Sequence, residues 1–209
     1  MSRHPDSSAH TLATACRRIA ALGLSPGSSG NASIRTADGF LTTPSGRPLG
    51  DLTAQDISVL DPSGLHRDGP PPTKEAPLHL RVYARQPHHR AIVHLHSTHA
   101  VAVACLRPVR PADVFPPYTP YGVLRLGAVP LLPYAPPGSE RLAALADDLA
   151  PDTRACLLAQ HGSMTMAPDL HTAVEAAVEV EETARLHLLL APHHAVRTLN
   201  EDQCAELRP

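Results

Sequence analysis

The chain of 209 residues contains no tryptophan, only four tyrosines and two phenylalanines, no excess of either charge and no long apolar run. Its 18 Lys plus Arg nearly balance 20 Asp plus Glu, for a formal net charge of -2. That balance excludes a broad nucleic-acid footprint or an acidic tail, so any phosphate recognition has to be local. No stretch reaches the roughly 18 uninterrupted apolar residues of a membrane helix, and the opening MSRHPDSSAH lacks a signal-peptide hydrophobic region. A cytoplasmic protein with no membrane contact is expected. The four cysteines, Cys16, Cys105, Cys156 and Cys204, form no CxxC pair and read as reduced thiols.

What is plentiful is proline, with 23 residues, and histidine, with 14. The length suits one domain over residues 1–209, with a core of about 10–190 and a loosely ordered tail at 191–209. HTLATACRRIAALGL places Leu12, Ala15, Cys16, Ile19, Ala20 and Leu22 at helical spacing and stops at glycine. NASIRT and GFLTTP read as strands around the turn ADG, and ISVLDPSG as a further strand and turn. APLHLRVYARQ reads as a helix with Pro77 in its first turn, burying Leu78, Val82 and the alkyl part of Arg81. RAIVHLHS then predicts a strand, HAVAVACL a helix, VPLLPY a strand, ERLAALADDLA a helix and RACLLAQHG a buried strand. A long helix closes the pattern over DLHTAVEAAVEVEETARLHLLL. Interleaved helices and strands indicate an α/β or α+β sandwich.

In the predicted strand RAIVHLHS, residues two apart face one way, so His94 and His96 lie opposite Val93 and Leu95. Alone, the pair is half a metal site or simply an exposed strand face in a histidine-rich chain. His161, where a buried strand runs into glycine, is a third candidate, and Glu75 at a helix mouth is a fourth. Each has a plainer reading: a hydrogen-bonded core histidine for His161, a glutamate favoured by the helix dipole for Glu75. Together, three imidazoles and a carboxylate suit Zn²⁺ or a similar divalent ion, with a position left open for substrate. SPGSSGNAS (25–33) and TPSG (43–46) can present unhindered backbone N–H groups to an anion, as can Thr73 and Lys74 at a helix N-terminus. Singly each is a turn; around one metal site they point to a phosphorylated substrate.

The ordered segments GLSPGSSGNAS, TTPSG, PTKEAPLH, VHLHSTHA, LLAQHG and VEETARLHLLL resemble the class II aldolase/adducin family over roughly residues 10–190. PTKEAPLH, HLHSTHAVAVACL and PPYTPYGVLRLG look more like its 3-oxo-tetronate 4-phosphate decarboxylase branch than its L-fuculose-phosphate aldolases. The resemblance implies a three-layer αβα sandwich on a central, mainly antiparallel sheet, and a homotetramer with active sites near subunit interfaces. It implies Zn²⁺, with Mn²⁺ or Co²⁺ able to use the same ligands, held by His94, His96 and His161 beside the acid/base Glu75. It also implies a phosphate pocket at Gly30, Asn31, Ser45, Gly46, Thr73 and Lys74. His99 matches a recurrent family histidine with a supporting or core role, and Tyr121, with Tyr118 as its rival, stands nearest the aldolases' catalytic tyrosine. Lys74 departs from the aldolases' small hydroxyl residue, and its positive charge favours a substrate bearing an acid group. The activity so implied is decarboxylation of 3-oxo-tetronate 4-phosphate to dihydroxyacetone phosphate and CO₂ through a metal-bound enediolate. A zinc-dependent aldolase or an epimerase of short sugar phosphates would use the same parts. A non-catalytic, adducin-like assembly module would have no need of Glu75 beside three metal-spaced histidines.

Overall fold

The computed structural model describes residues 7–107 and 110–207. Its strands are β1 (Asn31–Thr36), β2 (Gly39–Thr42), β3 (Ser58–Leu60), β4 (His66–Asp68), β5 (Ala91–Leu95), β6 (Leu131–Leu132), β7 (Ala155–Leu158) and β8 (Gly162–Ala167). They form one sheet in the order β4-β3-β2-β1-β5-β8-β7-β6. Every pairing is antiparallel except β6 with β7. The helices are α1 (Ser7–Ala21), α2 (Ala76–Arg85), α3 (Thr98–Ala104), α4 (Pro120–Leu126), α5 (Glu140–Ala144), α6 (Leu170–Leu190) and α7 (Glu201–Glu206). Among the described residues no helix is long and apolar enough to cross a membrane.

β5 runs through the middle of the sheet and is buried on both faces, which is why its sequence is an apolar run. Ala91, Val93 and Leu95 pack with Leu12, Ile19 and Val174 of α1 and α6, whereas Ile92 packs with Leu78, Val82 and Leu142 of α2 and α5. This gives three layers: α1 and α6, the sheet, then α2 and α5. Each fully buried Leu, Ile or Val contributes about 1.5–3 kcal/mol through removal of apolar surface from water. A third cluster joins α3, α4 and α6 to β7 through Ala100, Val103, Leu126, Val180 and Leu157. The period-two rule puts His94 on the Ile92 face, toward the start of α2.

Several expectations require correction. Leu22, assigned to the buried face of α1, is exposed, because the helix has ended before it. On α2 the buried set is Ala76, Leu78, His79, Val82 and Tyr83. Arg81 instead turns outward to Asp147 and Glu140, since charge pairing at the surface avoids the cost of burial. The segment RACLLAQHG is strand only as far as Leu158. Gln160, at φ 58°, then makes a tight turn into β8, whose stretch GSMTMA carried no expectation. In the tail, Asn200 and Gln203 form a capping box that starts α7, and Cys204 is buried. All four cysteines are free; the exposed one is Cys105.

Candidate metal centre and anion-binding cleft

Three backbone features deliver three imidazoles to one point. His94 is the last-but-one residue of β5, on the α2 side, His96 lies just beyond the strand, and His161 lies in the β7–β8 turn. Gly162 makes the convergence possible: a Cβ there would stand 2.2 Å from the Leu95 carbonyl oxygen and 3.2 Å from the His96 ring. Their rings meet edge to face with centroids 4.7–4.9 Å apart. One ligand atom from each lies within 4.8 Å of the others, and the His94 and His96 Nε2 atoms are 2.9 Å apart. Two nitrogens sharing a tetrahedral zinc are separated by roughly 3.4 Å, so small ring movements satisfy that geometry.

The fourth member comes from the mouth of α2. Glu75 precedes the helix but does not cap it; its carboxylate turns inward, with Oε1 3.2 Å from His161 Nε2 and Oε2 3.2 Å from His94 Nε2. Asn31 Nδ2 donates to Oε2 at 2.8 Å. His94 Nδ1–H donates to the Ser163 carbonyl at 2.8 Å, which fixes the tautomer and aims the Nε2 lone pair at the cluster. The ring nitrogens of His161 are buried without a hydrogen-bond partner, since the Glu75 contact lacks the alignment of one. That distinguishes His161 from a hydrogen-bonded core histidine and leaves its ring nitrogens available as ligands.

Protonation states suit a cation. Burial pushes the His94 pKa down to about 3, against the pull of the Glu75 charge, so the imidazole is neutral at pH 7. Burial also lowers His96, helped by neighbouring His161. For Glu75, burial raises the pKa, but the contacts with His161 and His94 and the Asn31 hydrogen bond outweigh it. The carboxyl lies well below its usual range. A neutral His94 beside an ionised Glu75 is the pairing that binds a divalent metal, so these residues fit such an ion.

In front of this cluster opens a cleft of about 200 Å³ lined by Ser28, Ser29, Gly30, Asn31, Ser45, Gly46, Thr73, Lys74, Glu75 and His96. All six residues expected to form a phosphate pocket lie on its wall. Gly30 sits at φ 78°, where a Cβ would press to 3.0 Å of the His94 carbonyl oxygen, so its loop can hug β5. Thr73 N–H donates to the Thr43 carbonyl and Ser45 N–H to the Pro71 carbonyl, both at 3.0 Å, which ties the TPSG loop to the α2 mouth. His94 and His161 do not line the cleft; they are buried against Glu75 and His96, which do.

Tyr121 is not brought to the cleft: it is 62% exposed on α4, under Arg125. Tyr118 hydrogen-bonds His187 at 3.0 Å and lines a larger cavity, of about 580 Å³, beside α4 and α7. Size does not decide between the two spaces, because among the described residues the one group at metal-ligand spacing lies at the smaller cleft. His99 points away from the ligand cluster to Glu181. Sequence reasoning missed Pro137 and Gly138, which wall the cleft opposite Lys74 and were legible only as a turn after VPLLPY.

A three-histidine, one-carboxylate centre set against a mainly antiparallel sheet defines an α/β protein with a metal-type site. The family model of the Class II Aldolase and Adducin N-terminal domain matches residues 10–188, and the chain belongs to that family. The class II aldolases are metal-dependent, and the histidine group here is able to bind a metal. The 3-oxo-tetronate 4-phosphate decarboxylase of Escherichia coli (strain K12) is 41% identical over 187 residues, covering 89% of this chain and 88% of that protein. The L-fuculose phosphate aldolase of Haemophilus influenzae is 35% identical over 189 residues, 90% of this chain and 86% of that one. The crystal structure of YgbL from Klebsiella pneumoniae superposes with a TM-score of 0.92 at 37% identity, covering 99% and 100% of the two chains.

Proposed function

We propose that this protein is a metal-dependent decarboxylase of 3-oxo-tetronate 4-phosphate, releasing CO₂ and dihydroxyacetone phosphate. One observation carries the reading: the glycine- and hydroxyl-lined cleft with Lys74 at its rim opens onto the Glu75–histidine cluster. The names of the decarboxylase relatives, 37–41% identical, support the same substrate.

His94, His96, His161 and Glu75 would hold the ion, which we take to be Zn²⁺ with Mn²⁺ or Co²⁺ as substitutes. When bound, it supplies Lewis-acid polarisation of the C3 carbonyl. Backbone N–H groups at Gly30, Asn31 and Gly46, with the hydroxyls of Ser45 and Thr73, bind the phosphate and fix the substrate's long axis. Lys74 places a positive charge for the phosphate or the C1 carboxylate. With the acid so held, the C1–C2 bond breaks, CO₂ leaves and its electron pair becomes the enediolate of C2 and C3. Glu75, ionised in this setting, orients the water whose proton goes to C2. Asn31, donating to Oε2, keeps that carboxylate in place.

The same enediolate arises by aldol cleavage, and the likeness to L-fuculose phosphate aldolase makes a sugar-phosphate aldolase the second reading. The test is to supply 3-oxo-tetronate 4-phosphate to metal-loaded protein and follow dihydroxyacetone phosphate with a reductase. Stoichiometric release is expected. No release, together with condensation of dihydroxyacetone phosphate and an aldehyde, would transfer the assignment to the aldolase.

We further read the chain as one domain, working in the cytoplasm, in keeping with its four free cysteines, and assembled as a homotetramer with sites near subunit contacts. Tyr121, outside the cleft of its own chain, is proposed as catalytic only within such an assembly.

A further inference from the structure

We propose that Glu181, far from the cleft in sequence, is the residue that positions His96 for metal binding. The inference rests on the reading of His96 as a ligand. β5 ends at Leu95 and α3 begins at Thr98, so His96 hangs on the two-residue link His96–Ser97 with no strand ladder to hold it. The residue at the N-cap of α3 is Ser97, yet its hydroxyl does not cap: it donates to the Leu24 carbonyl at 2.7 Å. The capping role passes to Glu181 of α6. Its Oε1 accepts from the His99 N–H at 3.0 Å and from the His99 ring Nδ1–H at 2.7 Å, and its Oε2 accepts from the Ala100 N–H at 2.9 Å.

One carboxylate thus satisfies two free N–H groups of the first turn and an imidazole, and places its charge at the positive end of the helix. Glu181 is 8% exposed and Ser97 1% exposed, so neither can exchange its partner for water freely. The link is pinned from both sides: Ser97 to the loop before β1, and the start of α3 to α6. The His96 backbone has little room to move between these anchors. With Glu181 neutralised, the amide group of a glutamine faces N–H donors with its own NH₂, and the first turn of α3 loosens beside His96.

The experiment compares wild-type protein with Glu181→Gln by Zn²⁺ titration against a chromophoric chelator and by the visible spectrum of the Co²⁺ form. Leu142→Ala, in the opposite helix layer, serves as a control for lost stability. Removing a group that orients a metal ligand typically weakens affinity about 10- to 100-fold. That loss, with an altered cobalt spectrum, is expected for Glu181→Gln and not for Leu142→Ala. Wild-type affinity and spectrum in Glu181→Gln would overturn the proposal, as would an equal loss of affinity in Leu142→Ala. If the glutamine form does not fold, Glu181→Asp takes its place: a smaller loss in the same direction supports the proposal and unchanged affinity overturns it. Turnover does not enter the readout. A chain that binds the ion but decarboxylates nothing refutes the functional reading alone, and an active enzyme indifferent to Glu181 refutes this one alone.

Discussion

Glu75, His96 and Lys74 sit on one cleft wall but answer to different physics, which separates their variants. Glu75→Gln keeps the shape and the Asn31 contact region while removing the charge. It is expected to retain the fold and lose at least about 100-fold in turnover, the usual scale for a positioned acid or base. His96→Ala removes a candidate nitrogen ligand and is expected to lose metal as well, measured by metal content after dialysis. Full activity in either variant would sink the mechanism. Lys74→Ser is expected to lower kcat/KM while leaving metal content intact, because Lys74 is exposed at the rim and contributes charge rather than structure. Unchanged kinetics would remove it from the site. Much of this was legible residue by residue, since HxH spacing, a histidine before glycine and a glutamate at a helix mouth are local signals. Glu181 and His79 were not, because a buried polar side chain is recognised by its partners and those lie on other elements.

At the level of elements, the close approach of β8 to β5 does most to build the centre. Ser163 pairs with Leu95 in the ladder, and the same residue's carbonyl holds His94. A methyl group at Gly162 would collide with the Leu95 backbone, so the strands have to separate where two candidate ligands depend on them. Gly162→Ala is expected to cost about 1–3 kcal/mol, the range for overpacking, and to weaken metal binding, read by thermal unfolding and metal titration. A variant with wild-type stability and affinity would contradict this account of the turn. β8 itself escaped the sequence reading because a strand buried on both faces has no alternation, and GSMTMA has few β-branched residues to compensate. The tail helix α7 escaped because its capping box follows a polar, proline-containing stretch with no apolar periodicity. The helices α1, α2 and α6 were legible because each pairs an apolar stripe with a start or stop signal.

For the whole molecule, buried neutral histidines make stability depend on pH. Burial lowers both His79 and His89 to about 4, against roughly 6.5 in an unfolded chain. Between pH 6.5 and 4 the unfolded chain therefore binds more protons than the native one. The stabilising effect of keeping these groups neutral is complete above about pH 6.5 and is lost as the pH falls toward 4. Denaturant titrations across that window are expected to show a steep decline, shallower in His89→Gln; equal slopes would remove His89 from the explanation. Metal binding acts in the other direction: at 100 times its Kd, a ligand of the native state adds about 2.7 kcal/mol, a rise in Tm of roughly 5–10 °C. The measurement closest to the central claim is dihydroxyacetone phosphate release from 3-oxo-tetronate 4-phosphate, before chelation, after chelation and after Zn²⁺ is restored. The account predicts release that vanishes with the chelator and returns with the metal; release untouched by chelation, or none from metal-loaded protein, would contradict it.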